Sequence, residues 1–273
     1  MNNHLERVQF EFGSACDVGR KRKGEPNQDA VDVILSDYSL DNPHPPLLVV
    51  ADGLGGHQGG STASQLVIQV FKQHFQETKH PTNYPQLLMA CAHKAHSAIR
   101  TYGGENPKLS NMGSTVVAVV LEEKHMHVLN VGDSRAYILR GNKVFQISQD
   151  QSWVAAQVRA GILTPQEALN HPKLNRLEMA ITAKRTEIKP YVSDATLEAN
   201  DIIVLCSDGL WGVVPETLIW AAASELSPQV AADKLVALAN RSRGPDNISV
   251  IVARRVIDPA RKFVAVNLDD TNR

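Results

Sequence analysis

Short apolar runs alternate with polar turns at the start of the chain. Residues 8–12 alternate apolar and polar, and residues 30–35 and 47–51 are β-rich runs separated by the turn-rich stretch 41–46. Alternation with a period of two, or a short apolar run bounded by turn residues, is typical of β-strands. The chain is therefore predicted to begin as a series of strands.

Helical periodicity appears in five later stretches. Apolar residues recur at helical spacing over 61–77 and 87–99, and helices are also predicted at 215–224 and 228–241. Residues 151–181 are helical in pattern but polar, with few bulky apolar residues and two Xaa-Pro breaks. This last stretch is predicted to be an inserted helical flap.

The remaining β-rich segments lie between and after these helices, at 115–121, 126–131, 136–139, 144–147, 188–192, 202–206 and 248–257. Strands grouped around helices without strict βαβ alternation predict a layered α+β sandwich. A chain of 273 residues is compatible with one domain, which we expect over residues 1–258. Residues 259–273 form a C-terminal tail to which no element is assigned.

Composition narrows the classes of function. Hydrophobic residues make up 43% and charged residues 21% of the chain, as in ordinary globular proteins. The 28 basic and 29 acidic residues give a formal net charge of −1, so neither nucleic acid nor a membrane is an expected partner. Three widely spaced cysteines indicate neither a disulfide framework nor a zinc site, and no apolar run is long enough to span a bilayer. A cytoplasmic monomer is expected.

Aspartates recur where apolar runs end. Asp52 follows the apolar run 47–51, Asp208 follows the run 202–206, and each precedes a glycine that lets the backbone approach a ligand. A single aspartate at such a place more often caps a turn. However, a carboxylate at the edge of an apolar core is costly unless it is paired or bound to a cation. Because the pattern recurs, hard divalent cations are favoured, and three more aspartates stand where a loop meets a strand: Asp29, Asp133 and Asp246.

Rival motifs fit less well. Residues 55–62 have the spacing of a phosphate-binding P-loop but lack its lysine. Residues 132–136 nearly match the serine-hydrolase elbow, but an elbow leads into a helix, whereas residues 135–140 have the pattern of a strand. Two histidine pairs lack a carboxylate at zinc spacing and are assigned no chemistry: His93 with His96, and His125 with His127.

Six motifs, in this order along the chain, resemble the PP2C family of metal-dependent protein phosphatases, also called PPM, and in particular its bacterial branch. The resemblance extends from about Phe10 to Ala253. Each motif alone is weak, and the ordered set is specific. The motifs are residues 27–30 (NQDA), 50–57 (VADGLGGH), 113–115 (GST), 130–135 (NVGDSR), 207–211 (SDGLW) and 246–247 (DN).

The resemblance implies a four-layer αββα sandwich of two antiparallel β-sheets flanked by helix pairs. It also implies two Mn²⁺ or Mg²⁺ ions at one end of the sandwich. By the family pattern Asp52 bridges both ions, and Asp208 and Asp246 complete one site. Asp29 and the carbonyl of Gly53 help to hold the other.

The implied reaction is hydrolysis of phosphoserine and phosphothreonine in proteins that a Ser/Thr kinase has phosphorylated. Two metals about 3.5–4 Å apart lower the pKa of a bridging water and clamp the phosphoryl oxygens, so the water attacks directly without a covalent phosphoenzyme. Asp52, Asp208 and Asp246 are the expected catalytic residues. Asp133 matches the family position that, with Asp208, binds a weaker third metal.

The groups expected to contact substrate are less well defined. Arg22 is the candidate for gripping phosphate, because a guanidinium binds it bidentately. Its spacing from the Asn-Gln-Asp motif departs from the bacterial pattern, so Arg20 and Lys23 stay open as alternatives. Animal members have a histidine general acid where this chain has Leu54, which leaves His57 as a substitute. The flap, beside the active site in the family, is expected to select substrates.

Two other functions stay open from the sequence. A pseudophosphatase would keep the fold to bind a phosphoprotein without turnover, but it would be expected to have lost metal ligands, and none is missing. A metal-dependent phosphomonoesterase acting on small molecules would use the same aspartates. Function is decided by the site, not by the fold.

Overall fold

The computed structural model describes residues 9–35, 44–79, 81 and 83–256. Its strands are β1 (Gln9–Asp17), β2 (Asp29–Ile34), β3 (Leu47–Leu54), β4 (Gly113–Ser114), β5 (Val116–Leu121), β6 (His125–Val131), β7 (Arg135–Arg140), β8 (Lys143–Gln146), β9 (Ile181–Thr182), β10 (Tyr191–Thr196), β11 (Ile202–Cys206) and β12 (Ile248–Val256). Its helices are α1 (His57–Glu77), α2 (Tyr84–Glu105), α3 (Trp153–Arg159), α4 (Pro165–Leu169), α5 (Asp208–Trp211), α6 (Glu216–Glu225) and α7 (Pro228–Arg241).

The strands form two antiparallel sheets. One sheet has the order β1-β12-β11-β7-β8, and the other has the order β10-β6-β5-β3-β4-β9 with β2 paired to β3. Side chains alternate between the two faces of a strand. In β3, Leu48 and Val50 therefore point into the core between the sheets, whereas Leu47 and Val49 point outward, against helices.

Helix pairs cover both outer faces. Helices α1 and α2 bury Phe71 and Ile99 against the sheet that contains β3. Helices α6 and α7 bury Ile219 and Leu235 against the sheet that contains β11. The predicted αββα sandwich of two antiparallel sheets is confirmed.

Several predicted boundaries differ from the structure. The strand predicted at 188–192 instead runs over Tyr191–Thr196, and Pro190, which has no N–H to donate, immediately precedes it. Helix α1 begins at His57 rather than Ser61, because two glycines hid the helical pattern of its first turn. The part of the last predicted strand beyond Val256 and the tail 259–273 lie outside the described residues.

The flap consists of two short helices, α3 and α4, each with a side-chain N-cap. Ser152 accepts a hydrogen bond from the backbone N–H of Ala155, and Thr164 forms a capping box with Glu167. The base of the flap is closed by a β-bridge between Ser152 and Leu177. Of the helices in the described part of the chain, none has the length and apolarity needed to cross a bilayer.

We expect Leu205→Ala to lower the free energy of unfolding by about 2–5 kcal/mol, because it leaves a cavity between the sheets. Leu205 is 0% exposed, and Leu218 on α6, 45% exposed, is the matched control. Leu218→Ala should change the same quantity by no more than about 0.5 kcal/mol. Urea denaturation of both variants measures the difference, and equal losses would contradict the described packing.

Candidate active site and metal centre

A pocket of about 310 Å³ opens at one end of the sandwich. Four of the five predicted aspartates line it: Asp52, Asp133, Asp208 and Asp246. Gly53 also lines the pocket, and the flap contributes Asn175 and Leu177. The predicted strand ends at Asp52 and Asp208 therefore meet in one cavity.

The fifth aspartate, Asp29, lies beside Asp52 because strand β2 pairs antiparallel with β3 and sets the two residues opposite each other. Asp29 is buried, with 7% exposure, and is not part of the pocket lining. Its Oδ2 accepts a hydrogen bond of 2.7 Å from the Ser207 hydroxyl. Its Oδ1 is buried and has no hydrogen-bond partner among the described residues.

Antiparallel pairing also brings the other three aspartates together. Strand β11 pairs with both β12 and β7. Asp208 directly follows the N-cap of α5 after β11, whereas Asp246 and Asp133 lie shortly before β12 and β7. Because antiparallel neighbours run in opposite directions, the end of β11 adjoins the starts of its two partners.

The glycines after Asp52 and Asp208 are required by close backbone contacts. A Cβ on Gly53 would lie 2.1 Å from the carbonyl oxygen of Gly60. A Cβ on Gly209 would lie 1.8 Å from the carbonyl oxygen of Asn247. Neither position has room for a side chain, so both glycines are explained by the close approach of neighbouring backbone at the pocket.

Burial and mutual repulsion raise the pKa of four of the carboxyl groups. Burial is the largest cause in each case, and it raises the pKa of Asp29 to about 7 and that of Asp208 to about 6. The pKa values of Asp52 and Asp133 are also raised well above the ordinary range, first by burial and then by neighbouring carboxylates. Carboxylates gathered in this way attract cations.

Arg22, the predicted phosphate ligand, lines the pocket but is paired with a predicted metal ligand. Its Nε lies 2.9 Å from Oδ1 of Asp246, and its Nη2 donates to Oδ2 over 3.0 Å. The two alternatives, Arg20 and Lys23, are exposed and do not line the pocket. The side chain of His57 lies outside the described residues.

The donor set fits hard divalent cations. Carboxylate and carbonyl oxygens are the ligands that Mg²⁺ and Mn²⁺ prefer, and the unpartnered Oδ1 of Asp29 is a buried acceptor. In the described part of the chain, no three His, Cys, Asp or Glu side chains already form a ready-made metal-binding group. Arg22 contacts both carboxylate oxygens of Asp246.

Three polar residues that hold the site were not assigned a role from the sequence. Ser207 binds Asp29, and Asn247 joins two loops by accepting from the Gln28 N–H at 3.0 Å and donating to the Val18 carbonyl at 2.8 Å. Thr115 donates its N–H to the Asp52 carbonyl at 2.8 Å. All three belong to the quoted motifs, but their partners are distant in sequence, so position alone gave no role.

Comparison with known proteins adds independent information. The family profile described as "Protein phosphatase 2C" matches residues 18–240. The serine/threonine protein phosphatase PstP of Mycobacterium tuberculosis is 35% identical over 207 residues, which are 76% of this chain and 40% of PstP. The chain therefore spans less than half the length of that relative.

Two further matches cover most of both chains. The serine/threonine phosphatase stp of Listeria welshimeri is 32% identical over 77% of this chain and 84% of its own length. The crystal structure of the PstP catalytic domain in complex with two manganese ions superposes with a TM-score of 0.78 at 31% identity, covering 92% of this chain and 100% of that one.

The stability of the metal-free protein should fall as the pH rises from about 4 to 7. In that range the folded protein binds protons at Asp29 and Asp208 that the unfolded chain, with aspartate pKa values near 4, has already released. Urea denaturation in EDTA at several pH values measures the slope, which Asp29→Asn should reduce. The exposed Asp233 on α7 provides the control Asp233→Asn, and a wild-type slope of opposite sign would contradict the site electrostatics.

Proposed function

The chain belongs to the protein phosphatase 2C family, and from this premise we propose that it hydrolyses phosphoserine and phosphothreonine in proteins with the help of two divalent cations. The sequence resemblance to the family is confirmed. The observation that carries the proposal is the meeting of four aspartates in one pocket, with Asp29 buried behind them. Such a concentration of carboxylates is costly unless cations neutralise it.

We assign the carboxylates by the family pattern. On that pattern Asp52 would help to hold both cations, Asp208 and Asp246 would help to hold one of them, and Asp29 and the Gly53 carbonyl would help to hold the other. The pairing of Asp29 with Asp52 across β2 and β3 supports the shared site. Bound Mn²⁺ or Mg²⁺ would supply charge neutralisation and an acidified water.

Asp133 and Asp208 are proposed to hold a third, weaker cation. Both carboxylates line the same pocket, and after burial the charge of Asp208 is the largest cause that raises the pKa of Asp133. Asp133 is also 5% exposed, so its charged form needs a partner.

The chain's own residues orient these groups. The Ser207 hydroxyl holds one oxygen of Asp29 and leaves the other available for a cation. Thr115 fixes the Asp52 backbone from both sides, because it donates its N–H to the Asp52 carbonyl and accepts from the Asp52 N–H at 3.2 Å. Preorganised ligands of this kind lose less entropy when the site is filled.

Arg22 is proposed to grip the substrate phosphate. Its two-point contact with the Asp246 carboxylate uses the same planar fork that binds two phosphate oxygens. If Asp246 binds a cation instead of Arg22, the Arg22 guanidinium is free to bind the phosphoryl group in the same pocket. A role for His57 as proton donor stays a prediction of the sequence.

The flap is proposed to select among phosphoproteins. It reaches the pocket through Asn175 and Leu177, whereas no residue of α3 or α4 lines the pocket. Ile162, 67% exposed, and Leu169, 56% exposed, offer apolar surface to a protein substrate. The substrates are expected to be proteins that a Ser/Thr kinase has phosphorylated. We expect the chain to act on them as a monomer in the cytoplasm.

We expect Asp208→Asn to lower the rate of hydrolysis by at least about 100-fold, because the loss of a group that only supports a metal ligand already costs about 10- to 100-fold, and Asp208 is proposed as a ligand itself. The substrates are p-nitrophenyl phosphate and a phosphothreonine peptide, each tested with Mn²⁺, Mg²⁺ or EDTA. Asp233→Asn is the matched control and should keep the wild-type rate.

Activity that survives both EDTA and Asp208→Asn would refute the two-metal assignment. Wild-type protein that binds Mn²⁺ but cleaves neither substrate would favour a phosphoprotein-binding module. Cleavage of p-nitrophenyl phosphate without cleavage of the phosphopeptide would favour a small-molecule phosphomonoesterase.

Replacing residues 156–173 with a short Gly/Ser linker should reduce kcat/KM for a phosphoprotein more than for p-nitrophenyl phosphate. The replacement removes most of α3 and all of α4 but keeps the bridge between Ser152 and Leu177. A small aryl phosphate needs only the pocket, so its hydrolysis should change little. Equal losses of kcat/KM on the two substrates would contradict the proposed role of the flap.

A further inference from the structure

Strand β7 begins and ends with an arginine that grips an aspartate. At the pocket end, Arg135 donates from Nη2 to Oδ2 of Asp150 at 2.7 Å and from Nε to both carboxylate oxygens at 3.1 Å. At the far end, Arg140 grips Asp201 at 2.6 and 2.9 Å. Two-point pairs of this kind hold both partners in a defined orientation.

Arg135 is also linked to a pocket aspartate, through a tryptophan. The guanidinium carbon of Arg135 lies 3.7 Å from the centre of the Trp211 ring. The Trp211 indole N–H donates to the backbone carbonyl of Asp133 at 2.9 Å. Trp211 is the last residue of α5, and Asp208 is the first. Trp211 therefore connects the helix that carries Asp208 to the backbone of Asp133.

The same guanidinium is tied to the flap through Asp150. The Asp150 carbonyl accepts a hydrogen bond of 2.8 Å from Nη1 of Arg159, which is the last residue of α3. The next residue, Gln151, donates its N–H to the Gly132 carbonyl at 2.9 Å, and Glu178 at the other side of the flap donates to the Gln151 carbonyl at 2.8 Å. Asp150 is therefore part of the base of the flap.

We propose that Arg135 is a positioning residue that couples the base of the flap to the pocket aspartates Asp133 and Asp208. The proposal rests on the proposed function, because it assigns a role to Arg135 in the same site. Arg135 does not itself line the pocket. It acts by holding Asp150 on one edge of its guanidinium and Trp211 on one face.

The geometry requires arginine. The planar group makes in-plane hydrogen bonds to Asp150 and to the Tyr137 hydroxyl, at 3.0 Å, while its face stacks on Trp211. A lysine ammonium keeps the charge but is a compact donor without a flat face, so it cannot hold both neighbours together. The pair is largely buried, with side-chain exposures of 18% for Arg135 and 10% for Asp150, so solvent screens it little.

The test compares Arg135→Lys with the matched change Arg140→Lys at the other end of the same strand. Three quantities are measured for each variant: Mn²⁺ affinity by titration calorimetry, amide hydrogen exchange over residues 150–178, and the melting temperature. For Arg135→Lys we expect Mn²⁺ affinity to fall about 10- to 100-fold, as when a metal ligand's support is removed, together with faster exchange in the flap. Arg140→Lys should leave both quantities as in the wild type.

A second variant tests the link between Trp211 and Asp133 by itself. Trp211→Phe removes the hydrogen bond to Asp133 but leaves the Arg135 to Asp150 pair, so it should weaken Mn²⁺ binding with less change in flap exchange. It also keeps the proposal testable if Arg135→Lys does not fold. The proposal is overturned if Arg135→Lys lowers only the melting temperature, as a purely structural ion pair would, or if Trp211→Phe leaves Mn²⁺ affinity unchanged.

Both readouts are independent of turnover. Wild-type protein that fails to cleave either phosphate substrate would refute the proposed function, whereas the comparison of Arg135→Lys with Arg140→Lys would still decide whether the flap and the aspartates are coupled. Conversely, an active wild-type enzyme in which Arg135→Lys and Arg140→Lys behave alike refutes the coupling alone.

Discussion

Repulsion among buried carboxylates at one end of the β-sandwich is the constraint on which the rest of this structure depends. Asp29, Asp52, Asp133 and Asp208 all have raised pKa values, with burial as the main cause and neighbouring carboxylates adding to it. A group of like charges at the edge of a core disfavours the folded state unless something compensates. In the proposed two-metal site, bound cations would provide that compensation.

Rigid apolar strands make the arrangement possible. Strands β3, β5 and β11 consist almost entirely of buried residues, so the aspartates extend from elements that packing holds in place. Hydrogen bonds from Ser207, Thr115 and Asn247 then orient the loops between these strands. The apolar core stabilises the frame, and the polar residues at its edge set the geometry of the site.

Two arginines contact the site in different ways. Arg22 lies in the pocket and pairs with Asp246, whereas Arg135 lies behind the pocket wall and pairs with Asp150 at the base of the flap. The Arg22 side chain is half-buried, with 34% exposure, so its guanidinium is accessible from the pocket. Arg135 is largely buried in a hydrogen-bonded network, which suits a positioning role.

The sequence by itself determined the fold class and pointed directly to Asp52 and Asp208, because short apolar runs followed by an aspartate and a glycine can be recognised locally in β3 and β11. The prediction of Asp29 and Asp246 depended more on the family motifs. The sequence also indicated the family, through motifs in a specific order. Only the tertiary structure decided which residues meet: Asp29 faces Asp52 through strand pairing, and Arg22 reaches Asp246, which lies 224 residues away. Contacts of that kind depend on strand order and register, and no local pattern along the chain encodes them.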